Sequence, residues 1–103
     1  MNLENNLVKV DIIIETIMLN ELVNILVEEG VKGYTIVGPV TSRGESSVKE
    51  KNPNTRNTDN SMLFVVCTEV LSKQILNAVG SVLRNYSGAC FVTNISNIEM
   101  YHR

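Results

Sequence analysis

The sequence predicts an α+β sandwich whose elements follow the order β-α-β-β-α-β. Three observations point to it. Short apolar runs rich in β-branched residues recur at Leu7–Ile14, Val31–Val37, Met62–Glu69 and Ala89–Ile95. Between the first and second runs, and again between the third and fourth, apolar residues repeat at helical rather than strand spacing. Between the second and third lies Pro39–Asn60, about twenty residues with almost nothing to bury. A connection of that length is uncommon in a compact domain and is usually functional or disordered.

Leu7–Ile14 alternates at first and then becomes wholly apolar, which suits a central strand covered on at least one face. Glu15–Glu29 reads as a helix. Ile17, Leu22, Ile25 and Leu26, flanked by Met18 and Val23, form its apolar stripe, and Asn20, Glu21, Asn24 and Glu28 fall off it. Gly30 is placed to close that helix in a left-handed conformation. Val31–Val37 is the second strand and Met62–Glu69 the third. The second helix runs over Val70–Leu83, with Leu71, Ile75, Leu76, Val79 and Leu83 on one face. Gly80 inside it costs about 1 kcal/mol relative to alanine, unless a neighbour packs closely there. Arg84–Gly88 is a turn, Ala89–Ile95 the fourth strand, and Ile98–Arg103 a candidate short terminal strand.

Two split β-α-β units joined in this way give a ferredoxin-like fold. Its antiparallel sheet has the spatial order 4-1-3-2, with both helices on one face. The other face is left uncovered, and apolar residues within Ile12–Ile14 and Met62–Val66 fall on it. Such a surface marks an assembly site, so a homo-oligomer is expected.

The 103 residues suffice for one domain, residues 1–103, and 44% of them are apolar. A domain this small buries only about two thirds of its unfolded surface and gains from association. A formal charge of −2 argues against a dedicated nucleic-acid binder. Met1–Asn6 lacks a basic leader and no apolar run approaches the length of a membrane span, so a cytoplasmic protein without membrane insertion is expected. Cys67 and Cys90 are 23 positions apart, outside any Cys-x-x-Cys pair. In the expected sheet they lie on strands separated by the first, about 9–10 Å apart. That exceeds the roughly 7 Å limit for a disulfide, so two buried thiols are expected.

Catalytic constellations are thin. His102 is the only histidine and stands one residue from the C-terminus, a poor place for an oriented base. No His/Cys cluster has zinc spacing, and there is neither a Walker A nor a G-x-G-x-x-G signature, so no metal is expected. Acylphosphatases share this small fold but resemble one another in an arginine between the first strand and first helix. Here that junction is Ile14-Glu15-Thr16-Ile17, without a cation. An RNA-recognition module needs exposed aromatics on its central strands, and Phe64 is the only one on the first or third strand.

The residues suited to chemistry cluster at the start of the long loop. Thr41-Ser42-Arg43-Gly44 offers two hydroxyls, a guanidinium fork and a glycine that lets backbone amides approach, a set suited to a phosphate. Over Pro39–Asn60, Arg43, Lys49, Lys51 and Arg56 stand against Glu45, Glu50 and Asp59, four cations against three carboxylates. Asn, Ser, Thr, Gly and Pro fill most of the remainder, so burial cannot offset the ordering entropy, and the segment is expected to be mobile unless bound.

Glu-Glu-Gly-Val-Lys-Gly-Tyr-Thr, Glu28–Thr35, resembles the end of the first helix and the second strand in the PII signalling superfamily, where a Lys-Gly-Tyr-Thr stretch leads into the long T-loop. It is most similar to the PII-like proteins of the SbtB type, linked to inorganic-carbon uptake. Ser42-Arg43 stands where their loop base has a Ser-Arg pair, and Asn85-Tyr86-Ser87-Gly88 resembles their turn after the second helix. The resemblance implies a ferredoxin-like homotrimer binding an adenine nucleotide, AMP, cyclic AMP (cAMP) or ADP, in the clefts between subunits. Gly33, Tyr34 and Thr35 would line the cleft from one side, Thr41, Ser42 and Arg43 would approach the phosphate, and Gly88 and Ala89 would bring backbone from the turn. It further implies a non-enzymatic regulator whose T-loop engages a membrane transporter, a bicarbonate transporter by the SbtB likeness. One alternative within the superfamily is a carboxysome-associated PII-like sensor of bicarbonate with a nucleotide; another, from a different class, is a CutA-type metal-tolerance trimer, and a third is a plain assembly module without a ligand.

The chain departs from the classical members. Pro39–Asn60 contains no tyrosine for uridylylation, and Ser87-Gly88 is far shorter than a lysine-bearing ATP loop. Fewer phosphate cations favour AMP, cAMP or ADP over ATP. The chain ends at Tyr101-His102-Arg103, without the cysteine-bearing extension of many SbtB-type proteins, so their redox switch and nucleotide hydrolysis are not expected.

Overall fold

The computed structural model describes residues 6–40 and 59–95. The elements are β1 (Leu7–Glu15), a 3-10 turn (Thr16–Met18), α1 (Leu19–Glu28), β2 (Thr35–Val40), β3 (Asn60–Thr68), α2 (Glu69–Leu83) and β4 (Gly88–Ile95). The strands form one antiparallel sheet in the order β2-β3-β1-β4, as the sequence predicts.

Period-two alternation decides which face of the sheet is covered. Val8, Val10, Ile12 and Ile14 of β1 are at most 2% exposed. Their neighbours on β3, Ser61, Leu63, Val65 and Cys67, are buried on the same side. The core closes over them with Met18, Leu22, Leu26 and Val31 around α1, and Ile75, Val79 and Val82 from α2. Lys9, Asp11, Ile13, Met62, Phe64 and Val66 point to the opposite face, which no described element covers. The expected open face is therefore present, but of Ile12–Ile14 only Ile13 lies on it.

The helices shift from their predicted bounds for local reasons. β1 continues through Glu15, and the chain enters α1 by a 3-10 turn, leaving Ile17 80% exposed instead of on the buried stripe. α1 ends in a Schellman motif. Gly30 takes φ +99°, its N–H donates to the Val27 carbonyl (3.0 Å), and the Val31 N–H donates to that of Leu26 (3.0 Å). Val31 is thereby spent on closing the helix and buried against the core, so β2 begins at Thr35 rather than Val31. It runs on through Pro39 and Val40, with a register irregularity between Val37 and Pro39 that makes Gly38 the extra residue of a bulge. Proline is tolerated there because β2 is an edge strand.

α2 begins one residue earlier than predicted. Thr68 Oγ1 caps it by accepting from the Leu71 N–H (3.2 Å). Its buried face is centred on Ser72, Ile75, Val79 and Val82, which leaves Leu76 exposed. The Ser72 hydroxyl donates back to the Glu69 carbonyl (2.7 Å). The ends of the predicted loop, Pro39, Val40 and Asn60, belong to strands, and 41–58 lies outside the described residues, as does the candidate strand Ile98–Arg103. Cys67 and Cys90 are free thiols. They stand opposite Val8 and Ile12, four residues apart along the intervening strand, which adds about 13 Å to the cross-strand separation.

Two glycines contrast. A Cβ on Gly88 would meet the Ile13 carbonyl oxygen at 2.5 Å and Leu83 Cδ2 at 2.8 Å, so β4 can lie this close to β1 only with glycine there. Among the described residues a Cβ on Gly80 would meet nothing within 4 Å, so no described neighbour requires that glycine. Urea denaturation is therefore expected to show Gly88→Ala losing about 1–3 kcal/mol and Gly80→Ala gaining about 0.5–1 kcal/mol.

Candidate functional site

β2 and β4, which bear the predicted ligand contacts, are the two edges of the sheet. Gly88 is opposite Ile14, Ile14 opposite Ser61, and Ser61 opposite Pro39. This row joins the start of β4 to the end of β2 across three strand spacings, about 14–15 Å. Thr41, Ser42 and Arg43 follow Val40 directly but lie outside the described residues. Gly88 and the departure point of the loop thus share one end of the sheet, on opposite edges. Thr35 belongs to a different row, with Phe64, Asp11 and Phe91.

Within one chain, then, Gly33, Tyr34 and Thr35 are not brought together with Gly88 and Ala89. Gly33 and Thr35 are exposed, and Tyr34 is 40% exposed ahead of β2, so neither side chain is consumed by packing within the chain. Among the described residues a Cβ at Gly33 would meet nothing within 4 Å, so no described neighbour requires that glycine. Gly88 differs, because its contact with Ile13 accounts for it without any ligand. Ala89 is half-buried opposite Ile13.

A hydrogen-bonded pin lies at the same end of the sheet and was not anticipated. The Thr16 N–H donates to the Asp59 carbonyl (2.8 Å), and the Thr16 and Ser61 hydroxyls are 2.7 Å apart. The turn after β1 is thereby tied to the returning arm of the loop. Ser61 is only 3% exposed, and Thr16 supplies its partner. Extending the β3 alternation back from Leu63 would have put Ser61 on the buried face and raised the question of its partner.

Among the described residues no three His, Cys, Asp or Glu side chains group to hold a metal, and no helix is long and apolar enough to cross a membrane. Burial pushes the Cys90 thiol up to about 11, with the Asp11 carboxylate adding to the effect, and burial also raises Cys67.

The protein-family model described as nitrogen regulatory protein P-II matches residues 7–102. No curated protein matches. A structure of CPII, a nitrogen regulatory PII-like protein from Thiomonas intermedia, bound to ADP, AMP and bicarbonate, is similar at 26% identity and TM-score 0.72, over 92% of this chain and 96% of that one. CPII bound to ADP and bicarbonate is similar at 28% identity and TM-score 0.72, over 86% and 85%. A PII-like protein from Thermus thermophilus shares the fold, at 24% identity and TM-score 0.68 over 86% of each chain.

The raised thiol gives a pH dependence. The folded chain disfavours the Cys90 thiolate relative to the unfolded chain, so the neutral thiol's contribution is whole below about pH 8.5. It is lost as pH climbs toward about 11. Urea denaturation between pH 8 and 11 should show stability falling across that window, with a shallower fall in Cys90→Ala.

Proposed function

Because the chain belongs to the nitrogen regulatory protein P-II family, we propose that it is a signalling protein that binds an adenine nucleotide between the subunits of a homotrimer. The observation that carries this reading is the similarity, over almost the whole of both chains, to a protein bound to ADP, AMP and bicarbonate. The edge placement of the candidate residues supports it, because a cleft between copies is where the β2 and β4 edges can meet. Gly33, Tyr34 and Thr35 of one copy line the cleft, Gly88 and Ala89 approach from the neighbour's edge, and Thr41, Ser42 and Arg43 address the phosphate. Apart from Ala89 these are glycines, hydroxyls and one guanidinium, groups that bind and orient but supply no acid–base pair, which favours sensing over catalysis.

The nucleotide acts through the segment after β2. Its hold on Thr41–Arg43 biases that segment toward one of two states, and a ligand shifts such an equilibrium only by its differential affinity for them. The partner is a bicarbonate transporter at the cytoplasmic face of a membrane, a placement that rests on the SbtB-type resemblance. Bicarbonate bound to CPII favours a second reading, in which bicarbonate is itself a co-ligand of the nucleotide.

Isothermal titration with AMP, cAMP, ADP and ATP, each with and without bicarbonate, tests both readings when the oligomer's mass is measured alongside. Micromolar binding of ADP or AMP by a trimer is expected, with ATP weaker. A bicarbonate-dependent rise in affinity would select the second reading. Arg43→Ala should weaken binding by about 1.5–3 kcal/mol through loss of a charged hydrogen bond. A trimer that binds none of the four removes the nucleotide site.

A further inference from the structure

The end of β2 is weakly held by its own strand. It lies on the edge of the sheet, so among the described residues β3 is its only ladder partner. Beyond the bulge at Gly38 that ladder comes down to Pro39 with Ser61 and Val40 with Asn60. Pro39 has no N–H to donate. Pro39 and Asp59 are exposed, and Val40 and Asn60 are only half-buried, so apolar packing adds little there. The placement of the β2 end therefore depends on what fixes the first residues of β3.

Ile14, Glu15 and Thr16 fix them. The β1–β3 ladder runs out at Ile14 with Ser61 and Glu15 with Asn60. Thr16, the first residue of the 3-10 turn, carries the contact one step further through its N–H on the Asp59 carbonyl and its hydroxyl on that of Ser61. Ile14 is also the partner of Gly88 at the start of β4. One short stretch thus carries both the end of β2 and the start of β4, the two places that a copy offers to its neighbours. The two hydroxyls of the pin are not equivalent. Ser61 is 3% exposed, so loss of the Thr16 hydroxyl strands a buried hydroxyl, whereas half-buried Thr16 can turn to water if Ser61 is lost.

We propose that Thr16 is a positioning residue for the nucleotide site, holding the β2 end in its binding geometry before the ligand arrives and without touching it. A contact fixed in advance removes an ordering cost that binding would otherwise bear. This role rests on the nucleotide binding proposed above and adds to it a residue outside the candidate contacts.

Titration with ADP of the parent, Thr16→Val, Thr16→Ser and the double variant T16V/S61A tests the role, at a temperature where circular dichroism shows each folded. Urea denaturation and amide hydrogen exchange are measured alongside. The double variant replaces both hydroxyls by apolar groups and strands neither, so its urea midpoint should stay near the parent's. It should still bind ADP about three- to tenfold more weakly, the span that one lost hydrogen bond covers. Its amides at Thr16 and over 59–61 should exchange faster than the parent's. Thr16→Val should bind as weakly and unfold at lower urea; if it does not fold, the double variant carries the test. Thr16→Ser keeps the hydroxyl and the N–H and should bind as the parent does. A folded double variant with the parent's affinity overturns the positioning role and leaves the proposed function standing. Weaker binding matched by an equal loss of stability overturns it as well, because Thr16 then serves the fold alone. Weaker binding with unchanged exchange at Thr16 and 59–61 replaces positioning by direct contact. A parent that binds neither ADP nor AMP removes the proposed function, and this role with it.

Discussion

The alternation along Leu7–Glu15 is the constraint on which the rest of the structure depends. β1 is hydrogen-bonded on both sides, and Val8, Val10, Ile12 and Ile14 are almost completely withdrawn from solvent beneath the helices. A slip of one residue would turn all four outward and drive Lys9 and Asp11 into the core. Burying those charges costs several kcal/mol each in effective terms, against a folding stability of only about 5–15 kcal/mol for a typical domain. The register of β1 is therefore strongly specified, and with it the registers of β3 and β4. The row from Gly88 through Ile14 and Ser61 to Pro39 follows from that one strand.

The same row sets what a single copy can and cannot do. It places the departure of the long segment after β2 and the start of β4 at one end of the sheet, but on opposite edges. Thr16 pins the returning arm through Asp59 and Ser61, so the base of that segment is held by main-chain and hydroxyl hydrogen bonds rather than by apolar packing. Holding the base while leaving the candidate contacts on separate edges suits a site completed by a second copy. Assembly and ligand binding then become linked, since whatever binds across two copies also stabilises their association.

Much of the fold was legible in the sequence because it rests on period. The runs at Leu7–Ile14, Met62–Glu69 and Ala89–Ile95 each lie within a residue or two of a strand, and the connection pattern yielded the strand order. Errors arose where a local motif overrode apolar content. Val31 looked like the start of a strand but serves the helix cap, and Ile17 looked like part of a stripe but sits in a 3-10 turn. α2 rotated by part of a turn relative to its predicted face because Ser72, bonded to its own helix, can be buried as readily as a small apolar residue. Of the candidate site, Thr41–Arg43 was legible from its hydroxyls and guanidinium, and the remainder only through resemblance. Gly33, Tyr34, Thr35, Gly88 and Ala89 have no periodic or charge signature that would group them, and their separation on opposite edges shows why no pattern within one chain could.

The glycines separate what the chain explains of itself from what it does not. Gly30 is required by its left-handed backbone, and Gly88 by the carbonyl pressed against it. Gly33 has no left-handed backbone angle and, among the described residues, open space where a side chain would go, and it precedes the exposed Tyr34 just before β2. Glycine carries an entropic penalty that some other advantage has to offset. At Gly30 and Gly88 that advantage lies in the chain's own turn and packing. At Gly33, as at Gly38 and Gly80, no described residue supplies it.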